Sequence, residues 1–404
     1  MAKWWNWILV LALVCLLFVA IPLTYPGTKT KEELRPMFDN YIDKFNKSYK
    51  NNPAEYETRL GHFVASVYEI DRLNRISRGP EQHRAKFDLT PLSDMSKTEF
   101  IDIHLSDEKP HKRKNNLGKS WSKGRDKFKP KPMFDSDDLM TDEDEKMMDD
   151  DKPVVDQPMS DDEADIDVKS SHHNIYIIIK RRRRAALPLK VDWREKGVIG
   201  PVRDQGLCGA CWAFSTIGVM EAMAAINTGK FSSLSVQEAI DCAGLGNGGC
   251  AGGDICLLLD WLLLTDTAVQ PDTEYPLRLM NGVCQKKSNA TGVRVQKFTC
   301  DDLVGSEEKI IESIATHGPV TVAVNALTWQ NYLGGVIQYH CSGSPKELNH
   351  AVQLVGYDLT AEVPYYIAKN SWGKNFGIDG YIQLAIGCNI CGLANEVASV
   401  DIKP

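Results

Sequence analysis

One cysteine of this chain stands in a block, QGLCGACWAF, that supplies much of what a nucleophilic thiol requires. The nucleophile is the thiolate, and an unperturbed thiol with a pKa of about 8.5 is mostly protonated at neutral pH. The residues after Cys211, WAFSTIGVMEAMAAI, space their apolar side chains as a helix does and include no proline. The pattern therefore predicts that Cys211 lies in the first turn of a buried helix, where the helix dipole favours the thiolate.

Residues elsewhere in the chain could complete a centre for nucleophilic catalysis. Gln205 lies on the loop-like segment before Cys211, and its amide could stabilise an oxyanion together with the backbone N–H of Cys211. His350 stands before an alternating apolar strand, 139 residues after Cys211, and could act as the base. Asn370 follows a second strand and could fix the tautomer and orientation of that histidine. Trp372 could then shield their hydrogen bond from water, or simply fill the core.

Each of these assignments competes with a simpler interpretation. An isolated cysteine is commonly a buried structural residue, and a histidine at a strand start is commonly a satisfied core side chain. Cys208 and Cys211 also form a C-x-x-C pair of the kind found in redox proteins, and Cys388 and Cys391 form a second pair. A redox pair is expected after a strand of a βαβ unit, and a zinc ribbon needs its pairs about 15–20 residues apart. Neither condition holds, so we predict a nucleophile, with neither a metal nor a cofactor.

The block belongs to a series of motifs that resembles a papain-like cysteine protease. In chain order the series is LPLKVDWREKGVIGPVRDQG, QGLCGACWAF, LSVQEAIDC, GCAGGD, NHAV, KNSWG, GIDGY and ICGLA, and it lies within a mature domain at residues 185–404. The resemblance implies that Cys211 is the nucleophile, His350 the base, Asn370 its orienter and Gln205 the oxyanion donor. Within the family, the stretch WQNYLGGVIQYHC most resembles the cathepsin O subfamily.

The remaining cysteines fit disulfides and therefore an oxidising compartment. Counting alone leaves fifteen pairings open for six cysteines. The resemblance implies the pairs Cys208–Cys250, Cys242–Cys284 and Cys341–Cys391. Apart from these six cysteines, one is the proposed nucleophile and one lies in the N-terminal apolar segment. The cysteines that remain are Cys256, Cys300 and Cys388. An odd number of leftover cysteines means that at least one thiol stays free or pairs with another chain.

The motif GCAGGD indicates where the backbone of a substrate would bind. Gly252 and Gly253 allow an extended peptide to approach closely. In many members of the family the next two residues are an aromatic residue and a proline that help to shape the main specificity pocket. Here they are aspartate and isoleucine, so the usual preference for a bulky apolar side chain does not transfer. Ala351 and Trp372 would line the cleft, and the lack of the histidine-bearing insertion of the family's dipeptidases favours an endopeptidase.

Residues 32–104 predict a small helical unit that resembles the family's inhibitory pro-segment. Along one amphipathic stretch, residues at helical spacing match five of six positions of the pro-segment motif: Glu55, Arg59, Phe63, Ile70 and Asn74. Ser66 replaces the asparagine expected at the sixth position. The resemblance implies that this unit folds against the enzyme and blocks its cleft; taken alone, the stretch would be a generic amphipathic helix.

The rest of the chain indicates a secretory precursor with a linker that the family does not usually have. Residues 1–24 hold an apolar stretch without a good cleavage site, as in a signal peptide or a signal anchor.

Residues 105–184 contain a basic block at 109–132, with ten Lys or Arg, and an acidic block at 135–167, with sixteen Asp or Glu. Such blocks cannot bury a core and are expected to be disordered. Because each block neutralises the other, we expect no nucleic-acid partner.

A run of basic residues, Lys180–Arg184, ends just before the mature domain. Behind a secretory leader, such a run predicts cleavage after Arg184 by a protease specific for basic residues rather than nuclear import. Asn46 and Asn289 begin N-x-S/T sequons that could carry glycans in the secretory pathway.

The predicted fold is α+β with two lobes, because the helical patterns of the mature domain precede its strand patterns. Helices are predicted at residues 211–225, 235–241 and 254–265, and antiparallel strands at 319–324, 351–357, 365–369 and 381–385. The nucleophile would lie on the helical lobe, the histidine and asparagine on the strand lobe, and the cleft between them. The sequence thus predicts the zymogen of a lysosomal or extracellular cysteine endopeptidase that acts on proteins or peptides. The alternatives are a catalytically silent binding protein of this fold and a thiol–disulfide oxidoreductase.

Overall fold

The computed structural model describes residues 29–105 and 187–403, apart from residues 78, 80, 82 and 288. The predicted leader at residues 1–24, the linker from residue 106 onward and the processing site at Arg184 lie outside the described residues. Within the described part of the chain, no helix is both long enough and apolar enough to span a membrane.

The N-terminal unit consists of helices whose ends are set by capping residues. Its elements are α1 (Lys31–Lys44), α2 (Pro53–Ile76), a short strand β1 (Lys86–Phe87) and α3 (Lys97–His104). Thr30 caps α1 and Ser96 caps α3, and in each case a glutamate three residues beyond the cap bonds back to its backbone. The pro-segment motif lies along α2. The prediction of an N-terminal helical unit is therefore confirmed.

The first half of the mature domain forms the helical lobe, as the sequence predicts. Its helices are α4 (Cys211–Thr228), α5 (Val236–Cys242) and α6 (Ile255–Leu264). All residues of α4 from Cys211 to Ala225 are buried, which explains why this sequence is apolar on every side rather than on one face. Gly229 ends the helix in the left-handed conformation, with a φ of 72°, that glycine adopts without strain.

The second half, together with one strand near the start of the mature domain, forms the strand lobe around one sheet that is antiparallel except for one pair of strands. Its elements are β2 (Lys190–Asp192), β3 (Arg294–Asp301), α7 (Glu308–Thr316), β4 (Val320–Val324), β5 (Tyr332–Gly334), β6 (Val336–Ile337), β7 (His350–Asp358), β8 (Tyr365–Lys369), β9 (Tyr381–Ala385) and β10 (Val397–Lys403). The sheet has the order β3-β10-β4-β7-β8-β9-β6, with β2 paired to β7 and with β6 parallel to β9. The predicted strands correspond to β4, β7, β8 and β9. β3 and β10 were not predicted; the residues of β3 alternate in burial only in part, whereas those of β10 alternate from Ala398 onward, so its pattern could have been recognised.

The pro-segment is docked on the strand lobe at the stretch that begins with Trp329. β1 pairs antiparallel with β5. Next to this pairing, Gln330 Nε2 donates a hydrogen bond to the carbonyl oxygen of Leu92 at 2.7 Å. Ser93 Oγ donates to Asn331 Oδ1 at 2.6 Å. These bonds hold the segment between α2 and α3 against the mature domain.

The structure contains disulfides that join the three pairs implied by the family resemblance and one further pair. They are Cys208–Cys250, Cys242–Cys284, Cys341–Cys391 and Cys256–Cys300. Because Cys208 is bonded to Cys250, the interpretation of Cys208 and Cys211 as a redox pair is wrong. Cys211 and Cys388 are the free thiols among the described residues.

Candidate active site

Cys211 is the first residue of α4, and the local sequence leaves the N-terminus of this helix without a side-chain cap. Ala210, at the capping position, makes no side-chain hydrogen bond to the first backbone N–H groups. The backbone groups of Cys211 itself, of Trp212 and of Ala351 instead act on the thiol of Cys211 and favour its ionised form. Cys211 and Trp212 belong to the first turn of the helix, so the helix end that favours negative charge points at the sulfur.

His350 begins β7 and Asn370 directly follows β8, and the antiparallel pairing of these strands brings the two side chains together. His350 Nε2 lies 2.7 Å from Asn370 Oδ1. The same oxygen accepts the backbone N–H of Ser371 at 2.8 Å, which fixes the orientation of the amide. Because an amide oxygen only accepts, we assign the hydrogen of the neutral imidazole to Nε2, and Nδ1 then carries the lone pair that a base requires.

Two indole rings enclose the imidazole of His350. Trp372 covers it, with ring centroids 4.7 Å apart and planes inclined by 34°. Trp329 crosses it at 89°, with centroids 6.0 Å apart. Trp372 is buried, and it lies against the ring whose Nε2 bonds to Asn370.

Gln205 lies in the interior and connects the loop before α4 to the strand lobe. Its backbone N–H donates to the carbonyl oxygen of Ser371 at 2.8 Å. Its side-chain oxygen accepts the hydroxyl of Ser371 at 2.6 Å, and its Nε2 donates to the carbonyl oxygen of Cys208 at 3.0 Å. These bonds hold the amide close to the N-terminus of α4. The structure thus brings together all the residues that the sequence predicts for the catalytic centre.

The glycines predicted to face a substrate also meet packing demands of the helical lobe. A Cβ atom on Gly253 would lie 2.6 Å from the ring of Trp212, and Gly252 has a φ of 121°, which favours glycine. Asp254 Oδ1 accepts the backbone N–H of Leu257 at 2.7 Å and thereby caps α6. This cap was not predicted, although an aspartate just before a run of apolar residues is a signal for one.

The pro-segment covers the candidate active site with the end of α3. The ring of Phe100 lies edge-on to Trp372 with centroids 5.4 Å apart, and the ring of His104 lies 5.6 Å from the same indole. His104 is only 5% exposed, and neither of its ring nitrogens has a hydrogen-bond partner. Burial lowers the pKa of His104 to about 4, while the charge of Asp204 opposes this shift. His104 was not predicted as a functional residue, because only the folded chain places it against the cleft.

Burial keeps both members of the candidate Cys–His pair neutral while the site is covered. Desolvation raises the pKa of the Cys211 thiol to about 11, although the backbone groups that act on the thiol oppose this shift. Desolvation lowers the pKa of His350 to about 4, although its hydrogen bond with Asn370 opposes this shift. Both shifts follow from the loss of water around a group that must carry charge. At neutral pH the covered site therefore holds an uncharged thiol and an uncharged imidazole.

The chain matches two known families, one over the mature domain and one over the pro-segment. Residues 187–400 match the papain family of cysteine proteases, and residues 38–100 match the cathepsin propeptide inhibitor domain (I29). The chain therefore belongs to the papain family of cysteine proteases, and it carries its own inhibitory pro-segment. Both predictions made from the sequence are confirmed.

Individual relatives agree with this family and with the fold. Cathepsin O from Mus musculus is 42% identical over 216 residues, which are 53% of this chain and 68% of that protein. Cathepsin O from Homo sapiens is also 42% identical over 216 residues, which are 53% of this chain and 66% of that protein. The recombinant stem bromelain precursor has a TM-score of 0.64 at 24% identity, over 91% of this chain and 98% of that one. Procathepsin L2 from Tenebrio molitor larval midgut has a TM-score of 0.66 at 23% identity, over 91% of this chain and 99% of that one. The predicted fold class and the resemblance to cathepsin O are confirmed.

Proposed function

We propose that this protein is the zymogen of a cysteine endopeptidase whose catalytic residues are Cys211, His350, Asn370 and Gln205. The observation that carries the proposal is the 2.7 Å hydrogen bond between His350 and Asn370, on the lobe that faces a free cysteine at an uncapped helix N-terminus. This arrangement provides a nucleophile, a base and a group that orients the base. Acyl transfer by covalent catalysis requires this set of groups.

In the proposed mechanism, the thiolate of Cys211 and the imidazolium of His350 form an ion pair once the cleft is open. The thiolate attacks the carbonyl carbon of a peptide bond, and the carbonyl π electrons move to the oxygen as the carbon–sulfur bond forms. The second hydrogen of Gln205 Nε2 and the backbone N–H of Cys211 stabilise that oxyanion. His350 protonates the leaving amine as the carbon–nitrogen bond breaks. It then takes a proton from the water that attacks the thioester, which releases the acid and restores the thiolate.

The proposed substrate is an extended segment of a protein or peptide. Its backbone would lie along Gly252 and Gly253, with Ala351 and Trp372 lining the cleft. The carboxylate of Asp254 is engaged as the cap of α6, so we do not propose that it binds a basic substrate side chain. The short connection between α5 and these glycines contains no histidine, which supports an endopeptidase rather than a dipeptidase.

The zymogen is proposed to travel through the secretory pathway to the lysosome or the extracellular space. Disulfides support an oxidising route. Asn46 and Asn289 are exposed, as glycan acceptors must be. We propose that a protease specific for basic residues activates the zymogen by cleaving after Arg184, and that residues 1–24 are a signal peptide or a membrane anchor.

Covalent labelling tests whether Cys211 is the nucleophile. The processed protein is treated with a thiol electrophile that carries a peptide-like recognition group, and the modified residue is found by mass spectrometry. We expect one label per molecule, on Cys211, and no label in Cys211→Ser. Cys388→Ser is the matched control, because it removes the other free thiol of the described residues and should label as the wild type does.

Other outcomes of the labelling experiment would assign the protein differently. A label that persists in Cys211→Ser would contradict the assignment of the nucleophile. A wild-type protein that is folded and processed but takes no label would favour the alternative of a catalytically silent binding protein.

A further inference from the structure

The short helical turn Trp329–Asn331 places an indole ring against the candidate base. The side chain of Trp329 is fully buried, at 0% exposure. Its ring centroid lies 6.0 Å from that of His350, with the planes at 89°, and 6.3 Å from that of Trp372, with the planes at 64°. The family resemblance assigns no role to Trp329, although the residue begins the stretch WQNYLGGVIQYHC that was singled out in the sequence.

The contacts of His350 restrict its ring in different ways. The hydrogen bond from Nε2 to Asn370 holds one edge of the ring but leaves rotation about the axis of that bond open. Trp372 lies over the imidazole at an inclination of 34° and limits tilt toward its side. Trp329 stands at 89° to the imidazole, so rotation about the hydrogen-bond axis would drive the imidazole against the indole. Together these neighbours oppose a change in the direction of the remaining ring nitrogen.

That remaining nitrogen is the one that must reach the thiol. His350 Nδ1 is buried and has no hydrogen-bond partner. The residue after His350, Ala351, belongs to the same buried cluster as Cys211, and its backbone favours the thiolate of Cys211, so the sulfur lies near the start of β7. The direction of Nδ1 therefore decides whether a proton can pass between imidazole and thiol.

The indole of Trp329 is held in this place at a cost in hydrogen bonding. Its Nε1 is buried and has no partner, whereas a buried indole N–H usually finds one. A phenylalanine would fill much of the same space without that unsatisfied donor. A test of Trp329 should therefore separate the effect of its ring, which stands perpendicular to His350, from the effect of its indole N–H.

We propose that Trp329 is a positioning residue of the peptidase, which holds the imidazole of His350 in the plane that directs Nδ1 toward Cys211. This role rests on the proposed function. Removal of the ring leaves the base free to rotate away from the thiol, so fewer molecules hold the Cys–His ion pair. The effect should fall on the chemical step rather than on substrate binding.

Steady-state kinetics of the processed protein test this role, with the variants Trp329→Leu, Trp329→Phe and Phe376→Leu. Phe376 is the matched control, because its ring lies 4.9 Å from Trp372 but makes no ring contact with His350 among the described residues. We expect Trp329→Leu to lower kcat by about 10- to 100-fold with little change in KM. Its bell-shaped pH profile of kcat/KM should narrow from both sides, because the ion pair is less stable. Trp329→Phe should restore most of kcat, and Phe376→Leu should resemble the wild type.

The outcomes separate this role from the proposed function. An inactive wild type would overturn the proposed function and this role with it. An active wild type would overturn the role alone if Trp329→Leu matched Phe376→Leu, if Trp329→Leu changed KM alone, or if Trp329→Phe were as impaired as Trp329→Leu. Should Trp329→Leu not fold, Trp329→Met, which fills more space without an aromatic ring, is judged by the same outcomes.

Discussion

Cys211→Ser in the processed protein should lower kcat/KM for peptide hydrolysis by roughly 10⁴- to 10⁶-fold, the range found when single members of a catalytic triad are removed. A serine hydroxyl is not ionised at neutral pH, and the helix N-terminus that can stabilise a thiolate cannot make it a comparable nucleophile. The substitution nearly preserves volume at a buried position. The midpoint of thermal unfolding should therefore change little. An unchanged midpoint would show that the variant loses its activity while it keeps its fold.

The same account predicts that the catalytic residues act as one unit. His350→Ala should lower kcat/KM by a similar factor, and the double variant with Cys211→Ser should be scarcely worse than either single variant. The control is Cys388→Ser, which should keep wild-type turnover. Additive losses in the double variant, or turnover that survives Cys211→Ser, would contradict the shared centre.

His104→Phe should keep the zymogen latent under acidic conditions in which the wild-type zymogen opens. Phenylalanine can keep the packing of the ring against Trp372 and Phe100 but cannot gain a proton. The docked His104 has a pKa of about 4, against an ordinary value of about 6.5 once the pro-segment is released. We expect the variant to match the wild type at pH 7 and to open about 100-fold less readily at pH 4.5.

The direction of this effect follows from the depressed pKa of the docked histidine. Above about pH 6.5 His104 is neutral whether the pro-segment is docked or released, so it does not weaken the docking of the pro-segment. As the pH falls from 6.5 toward 4, the released form binds a proton that the docked form does not, and docking weakens progressively. In the docked form, protonated His104 would be buried near His350. If His350 is protonated too, the two positive charges repel each other and weaken docking further.

The rate of pro-segment opening checks this prediction. Zymogens are compared between pH 7 and pH 4.5 by the appearance of active-site labelling. His317→Phe serves as the control, because His317 contacts Val400 and Asp401 on the strand lobe and should leave the pH profile unchanged. A pH profile for His104→Phe that coincides with the wild type would contradict the role of His104.

Local patterns were sufficient to predict the elements that carry the proposed catalytic residues. Cys211 begins a helix whose mainly apolar sequence is explained by its burial on all sides. His350 and Asn370 flank strands with clear apolar patterns, and their order along the chain agrees with the antiparallel pairing of β7 and β8. The family motifs then supplied the roles of these residues, which periodicity alone does not give.

Features that depend on contacts between distant segments could not be predicted in this way. β3 is stabilised by pairing with β10 at the far end of the chain, and its own residues alternate only in part. Cys256 and Cys300 are joined across 44 residues, and spacing does not reveal a partner. Likewise, Trp329 and His104 reach His350 and Trp372 only after the lobes and the pro-segment have assembled.

The covered site suggests that the pro-segment does more than obstruct substrate. In the docked form, burial raises the pKa of Cys211 to about 11 and lowers that of His350 to about 4. Release of the pro-segment would rehydrate the site, so that the thiolate and the imidazolium could stabilise each other. Latency would then include an unreactive thiol as well as a blocked cleft.

Alkylation of Cys211 by iodoacetamide as a function of pH tests the central claim most directly, since the reagent is small and reports the thiolate itself. Zymogen, processed protein and processed His350→Ala are compared in a Cys388→Ser background. The account predicts that processed protein reacts rapidly down to about pH 5, that His350→Ala loses this reactivity below about pH 8, and that the zymogen is unreactive throughout the neutral range. Equal pH profiles for all three proteins would contradict both the Cys–His pair and its suppression by the pro-segment.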